Sequence, residues 1–213
     1  MRDLAAVEGL TELPQLVGLL AARIGSQVNF ADISRTAGIP LTTLKRYVAL
    51  LEALYIVHRL PAWSGKLSSR LLKAPKLYPT DTGLAADLLD VGTAERLAQS
   101  DRLGPLLESF VVNEVTRQTG WNKTSVGRFH FRTEAGREVD LVLEDRSGRC
   151  VAIAVKAAAT LIAKDVAGIH AFAAQAGEHF HRGVILYTGT QLIPFAANVH
   201  ALPVSALWQL TGA

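Results

Sequence analysis

Two short stretches hold the residues whose types and spacing could do chemistry: REVDLVLED at 137–145 and CVAIAVKA at 150–157. Each reads as a strand, in which side chains two apart share a face. In the first, Glu138, Asp140 and Val142 fall on one face, and Val139, Leu141 and Leu143 on the other. In the second, Ala152, Ala154 and Lys156 oppose Val151, Ile153 and Val155. If the two strands pair, Asp140 and Lys156 project on the same side. A lysine inside so apolar a run is costly to bury unless it is paired. Asp140 is its nearest partner in this scheme.

Other constellations are weaker. HFH at 179–181 reads as a loop or surface feature rather than a zinc site. The Ser and Thr residues near His170 and His200 show no nucleophile-elbow pattern. The phosphate-cradling pattern G-x-x-x-x-G-K-[ST] is absent: SGK at 64–66 lacks both the upstream glycine and the following Ser or Thr. The chain is therefore not expected to hydrolyse ATP by itself.

The elements that must position Asp140 and Lys156 follow from periodicity. GPLLESFVVNEVTRQTGW (104–121) predicts a helix with Pro105 in its first turn and an apolar face of Leu106, Phe110, Val111 and Val115. Glu108 and Glu114 project from it in different directions. Strands are expected at 126–133, 137–145 and 150–157, then a helix over 164–177 and a buried strand over 182–189. VSALWQL (204–210) reads as a final helix burying Leu207 and Trp208. This order gives an α/β domain with a mixed sheet.

The first half reads differently. A helix over 13–25 stops at Gly25, a short one is capped by Asn29 and ended by Gly38, and LTTLKRYVALLEAL (41–54) is amphipathic. That is a helix-turn-helix pattern, whose second helix would present Thr42, Thr43, Lys45 and Arg46 to base edges and phosphates. The plainer alternative is a three-helix bundle with a solvated polar face. YIVHRL and RLLKAPKLY then form a hairpin, the layout of a winged helix, with Trp63 packed in its loop. Arg59, Lys66, Arg70, Lys73 and Lys76 lie here, and no acid falls between Glu52 and Asp81, a charge balance suited to phosphate contacts. A helix capped near Asp81 closes the unit. The expected modules are 1–92 and 93–213.

Composition sets the outer limits. The chain has 213 residues, 49% of them hydrophobic, a net charge of +3 and one cysteine, Cys150. This suits a globular protein of the reducing cytosol without a disulfide. No apolar run reaches transmembrane length and the N-terminus has no signal-peptide core, so no membrane partner is expected and localisation is read as cytoplasmic.

The motifs together carry a resemblance. GPLLESFVVNEV, FHFRTEAGREVDLVLE, VAIAVKA and RGVILYTG resemble the PD-(D/E)XK nuclease-like superfamily. The first half, with KLYPTDTGLAADLL, resembles the uncharacterised C-terminal domain of predicted prokaryotic AAA-type ATPases. The resemblance implies an α/β (α+β overall) fold: a winged-helix module, then a restriction-endonuclease-like three-layer domain around a central mixed sheet. It implies Asp140 as the strand aspartate, Lys156 as the catalytic lysine and Glu108, with Glu114 second, as the helix acid. Asp140 and Glu108 would then hold Mg²⁺ weakly, the only cofactor implied. The motif's remaining acid falls on Ala154, which has no oxygen to offer; the Val155 carbonyl and Glu138 are partial substitutes. The resemblance further implies DNA and an ATPase domain or ATPase partner, and surface left by a missing ATPase domain would favour self-association.

Three readings follow. The preferred one is a DNA-binding or interaction module with a degenerate, inactive nuclease-like domain. The alternatives are a weak Mg²⁺-dependent DNA nuclease and a winged-helix regulator whose α/β half senses a ligand or partner.

Overall fold

Three helices open the described chain, and each begins and ends where local chemistry dictates. The structure is a computed structural model that describes residues 13–65, 70 and 73–209. Helix α1 (Leu13–Ala21) buries Leu16, Leu20 and Ala21. It ends before Gly25, whose φ of 75° turns the chain. Helix α2 (Phe30–Ala37) is capped by the Asn29 side chain, which accepts the Asp32 N–H at 3.1 Å, and it stops at left-handed Gly38. Helix α3 (Leu41–Ala53) buries Leu44, Tyr47, Val48 and Leu51. With Ile33, Ile39, Val57 and Leu77 these make one core.

Strand β1 (Val57–Leu60) pairs antiparallel with β2 (Lys76–Pro79). The second strand starts later than the sequence suggested, because Pro75 has no N–H to give a ladder. Alternation along β2 divides its side chains between two partners. Leu77 joins the core of the three helices. Lys76 and Tyr78 point the other way, toward the second half of the chain.

Helix α4 (Thr82–Leu88) is capped by Asp81, which accepts the N–H groups of Gly83 and Leu84. A short helix α5 (Ala94–Ala98) leads to the long α6 (Leu103–Gly120). Six strands follow: β3 (Val126–Arg132), β4 (Glu138–Asp145), β5 (Cys150–Lys156), β6 (Phe180–Tyr187), β7 (Ile193–Ala196) and β8 (Val199–Pro203). Their order is β3-β4-β5-β6-β8-β7. The first three are antiparallel, β6 is parallel to β5 and β8, and β7 is antiparallel to β8. Helix α7 (Ala167–Ala176) makes the crossover between β5 and β6. Strands β7 and β8 were not apparent in the sequence, where Pro194 and Pro203 break the strand pattern.

The sheet lies between two helical layers. One face packs Phe131, Val142, Ala152 and Ile185 against Ile169 and Phe172 of α7. The other packs Leu141, Ile153, Val155 and Leu186 against Leu106, Val111, Val112 and Val115 of α6. The resulting fold is α/β with a mixed central sheet. Trp208 was expected to be buried; it sits on a 3₁₀ turn, half exposed, tilted against Phe110 at 5.7 Å.

The division expected near residue 92 is not a gap in packing. Leu60, Tyr78, Ala85 and Val91 share a core with α6 and the sheet. Trp63 packs edge-on to Phe131 and Phe172, so the packing role expected for it is the one it has. The Trp63 backbone N–H reaches the His130 carbonyl at 2.6 Å, and the His130 backbone N–H reaches the Pro61 carbonyl at 2.9 Å. The segment after β1 is thereby joined to β3 of the sheet.

One glycine fixes how closely α7 approaches the sheet. A Cβ on Gly168 would stand 1.9 Å from the Glu138 carbonyl oxygen. Gly168→Ala is therefore expected to destabilise the fold by about 1–3 kcal/mol or more, as overpacking does. Urea unfolding checks this, and a change under about 0.5 kcal/mol would show that the helix shifts freely.

Candidate functional site

The buried charges converge on Lys76, a residue the sequence placed among the exposed basic groups of the hairpin. Its side chain is 0% exposed, and its Nζ lies 2.9 Å from Glu108 Oε1, 3.6 Å from Asp140 Oδ1 and 3.9 Å from Glu138 Oε2. The Tyr78 hydroxyl donates to the same Glu108 Oε1 at 2.5 Å. Strand β2 thus delivers an ammonium and a phenol, α6 a glutamate, and β4 an aspartate and a half-exposed glutamate. Gly25 makes room for the Glu108 carboxylate: a Cβ there would lie 3.0 Å from Oε2. The Asp140 carboxylate is held from its other side, where Oδ2 accepts the Val155 N–H at 2.8 Å.

The pairing expected between Asp140 and Lys156 is not made. Lys156 is 40% exposed, and its nearest carboxylate is Asp165, at 4.0 Å. Strand alternation does bring Asp140, Ala154 and Lys156 to one groove, of about 720 Å³, with Glu108, Glu138, Arg137, Lys164 and Gly168. The cation that compensates Asp140 comes instead from a strand far upstream, which no period-two pattern could reveal. A usable signal was present in KLYP, where Lys76 and Tyr78 share a face opposite Leu77. Glu114 has no part in the site; it accepts from Arg117 at 3.4 Å and Gln118 at 3.0 Å.

One ammonium faces two buried carboxylates, and the protonation balance reflects the shortage. Burial, and then the Asp140 charge, push Glu108 up to about 7 against the pull of Lys76 and the Tyr78 hydroxyl. Burial works against a charged Lys76, but Glu108, Asp140 and Glu138 outweigh it and hold the amine above its ordinary value. Burial and the Glu108 charge hold the Tyr78 phenol well above its usual range. His130 lies close by, its Nε2 paired with the Ala74 carbonyl at 3.1 Å, and burial with the Lys76 charge lowers it to about 4.

The donor set does not fit a resident Mg²⁺. The point between Glu108 and Asp140 is taken by the Lys76 ammonium, the inward oxygens already accept hydrogen bonds, and Ala154 supplies no ligand. A divalent ion beside that ammonium would meet charge repulsion in a poorly solvated pocket. Among the described residues, no three His, Cys, Asp or Glu side chains form a metal-holding group.

The nucleic-acid residues expected from the sequence divide into two sets. Thr42, Lys45 and Arg46 are exposed on α3 and Thr43 is half-buried. Arg59 and Arg70 are not free cations. Arg59 pairs with Glu52 at 2.8 Å. Arg70 makes a two-pronged bond to Glu144 at 2.6 and 3.0 Å, lies 4.6 Å over the Phe129 ring and donates to the Ser64 carbonyl. It is a clamp between the hairpin loop and β4. Lys66 lies outside the described residues.

Two outcomes test this arrangement. Lys76→Met leaves two buried carboxylates without their cation, at a cost of about 3–5 kcal/mol. Adding Glu108→Gln and Asp140→Asn should restore part of that loss in urea unfolding. The second concerns acid. Unfolded His130 takes a proton near the ordinary histidine value of 6.5, but the folded residue resists until about 4. Its contribution is present above pH 6.5 and is lost as pH falls toward 4, by roughly 3 kcal/mol. Glu108, raised in the fold, acts with the opposite sign over a similar range. A His130→Asn variant should therefore be less destabilised, relative to wild type, at pH 4 than at pH 7. A pH-independent difference would exclude the buried neutral imidazole.

Comparison with known proteins places this geometry among domains without an assigned activity. Residues 103–207 match the model of a domain of unknown function, DUF4143, a domain associated with the C-terminal part of AAA-type ATPases. Residues 1–95 match that of a second domain of unknown function, DUF8612. Similar curated proteins include an uncharacterized protein of Mycobacterium tuberculosis and one of Mycobacterium bovis. Each is 27% identical over 190 residues, covering 89% of this chain and 41% of the relative. The chain thus spans about two fifths of the length of these relatives. No solved structure matches. No described helix is long and apolar enough to cross a membrane. The boundary between the two matched domains, near residue 100, coincides with the short segment that leads into α6.

Proposed function

We propose that this chain is a DNA-binding module of an ATPase-type protein, with a nuclease-like half that does not cleave. The observation that carries the second clause is the Lys76 ammonium seated between Glu108 and Asp140. Metal-dependent phosphodiester cleavage needs an ion at that point to activate water and neutralise charge on the scissile phosphate. A buried lysine offsets part of the carboxylates' charge but cannot ligate a water or a phosphate in the ion's place. The alanine at 154 removes a further oxygen.

The first clause rests on α3. Lys45 and Arg46 are exposed and make no ion pair among the described residues, and Thr42 stands beside them on the first turn. Such a face suits phosphate and base-edge contact in a major groove. Asp32, the acid on the preceding helix, is held by Arg23 and Arg35. Attachment to an ATPase is supported by the family match and by the greater length of the relatives.

The test is fluorescence anisotropy with a duplex of about 30 base pairs at about 50 mM and about 200 mM salt. Binding should weaken steeply with salt. Lys45→Ala with Arg46→Ala should weaken it about ten-fold or more and reduce the salt slope by roughly 2. Plasmid and branched DNA should stay intact with Mg²⁺ or Mn²⁺. Absence of duplex affinity at low salt removes the DNA-binding clause. Cleavage by wild type that Asp140→Ala abolishes removes the non-cleaving clause.

A further inference from the structure

A second cleft, of about 530 Å³, opens where the end of α3 and β1 face α6 and β3. It shares no lining residue with the groove over Lys76. Three guanidiniums line it, from Arg59, Arg117 and Arg128, and no carboxylate does. Arg59 is committed to Glu52 at 2.8 Å. The other two have weaker partners. Arg117, half-exposed, meets the largely buried Glu114 at 3.4 Å, three residues apart on one helix, and donates to the Thr80 carbonyl at 3.1 Å. Arg128 bonds only the neutral hydroxyl of Thr119, at 3.1 Å, among the described residues. The Thr116 hydroxyl, also on the lining, is buried without a hydrogen-bond partner among them.

Tyr55 stands at the same cleft, and its backbone is unusual. It has a φ of 56°, the left-handed conformation in which a helix commonly ends on glycine. A side chain there costs roughly 1–2 kcal/mol. Tyr55 is 82% exposed, so packing does not offset that cost. An exposed aromatic ring on a strained turn, beside the exposed Arg128, whose one bond among the described residues is to a neutral hydroxyl, and the half-exposed Arg117, is arranged for a ligand.

We propose that this cleft binds single-stranded nucleic acid, with an unpaired base stacked on Tyr55 and the adjoining phosphate held by Arg117 and Arg128. An aromatic face next to guanidiniums matches a base joined to a phosphodiester. A duplex does not fit this role, because its base faces are already covered by their neighbours in the stack. The proposal goes beyond duplex contact through α3 and uses different residues, so either stands without the other.

Anisotropy of the full chain with a labelled thymidine oligonucleotide of about ten nucleotides tests it, with the uridine RNA equivalent and a closed hairpin duplex as further arms. Both single strands, or either one, should bind in a salt-sensitive way and resist competition by the hairpin. Tyr55→Gly relieves the backbone strain, so its melting temperature should equal or exceed that of wild type while affinity falls about ten-fold. Tyr55→Phe, which keeps the stacking face, should stay within about two-fold of wild type. Arg128→Glu should lose about ten-fold or more. Lys45→Ala with Arg46→Ala should leave oligonucleotide binding unchanged even where duplex binding is lost. The proposal is overturned if wild type binds neither single strand at low salt, if the hairpin competes equally, or if folded Tyr55→Gly and Arg128→Glu bind as wild type does.

Discussion

An ammonium with no access to water must be surrounded by opposite charge, and the burial of Lys76 is the constraint on which the rest of this structure turns. Its partners come from two other segments, α6 and β4, and its own strand is held by the three N-terminal helices. None of these can move away alone without leaving a charge unpaired in a medium that cannot solvate it. One cation against two buried carboxylates leaves the cluster short of positive charge, and the rise of Glu108 toward neutral pH follows from that shortage. The Tyr78 hydroxyl supplies the remaining hydrogen bond to Glu108.

The surrounding packing serves the same junction. Alternation along β2 gives Leu77 to the helical core and Tyr78 to the core beneath α6, so one four-residue strand belongs to two hydrophobic clusters. Beyond β1, the chain is bonded to β3 through His130 and clamped to β4 through Arg70 and Glu144. The two matched domains therefore share a polar centre and an apolar core. Cations that looked like a basic patch along the hairpin are largely used up here: Lys76 and Arg70 act inside the protein, and Arg59 is neutralised by Glu52.

Exposed cations remain on the first turns of α3, around the cleft of Arg117 and Arg128, and at the groove over Lys76, which Arg137, Lys156 and Lys164 line. The groove over Lys76 brings together Asp140 from one strand, Lys156 from the next and Glu108 from a helix. Between its two carboxylates stands the Lys76 ammonium, where a divalent ion would have to sit.

Much of the fold was legible because its signals are local. Asn29, Gly38 and Asp81 act as caps through their own backbone neighbours, and the helices and the first four sheet strands followed from period and punctuation. Strands β7 and β8 were missed because Pro194 and Pro203 erase the period-two pattern, and only pairing with β6 makes those segments strands. The candidate site divides in the same way. The sequence by itself determined that Asp140, Ala154 and Lys156 lie on one side of neighbouring strands and that the acid at 154 is absent. Only the tertiary structure decided which cation Asp140 faces, since Coulomb attraction depends on distance in space and Lys76 is distant in sequence. It also turned Arg70 inward and brought Tyr55, Arg117 and Arg128 to one cleft, because burial is a property of the packed surfaces and no single segment carries it.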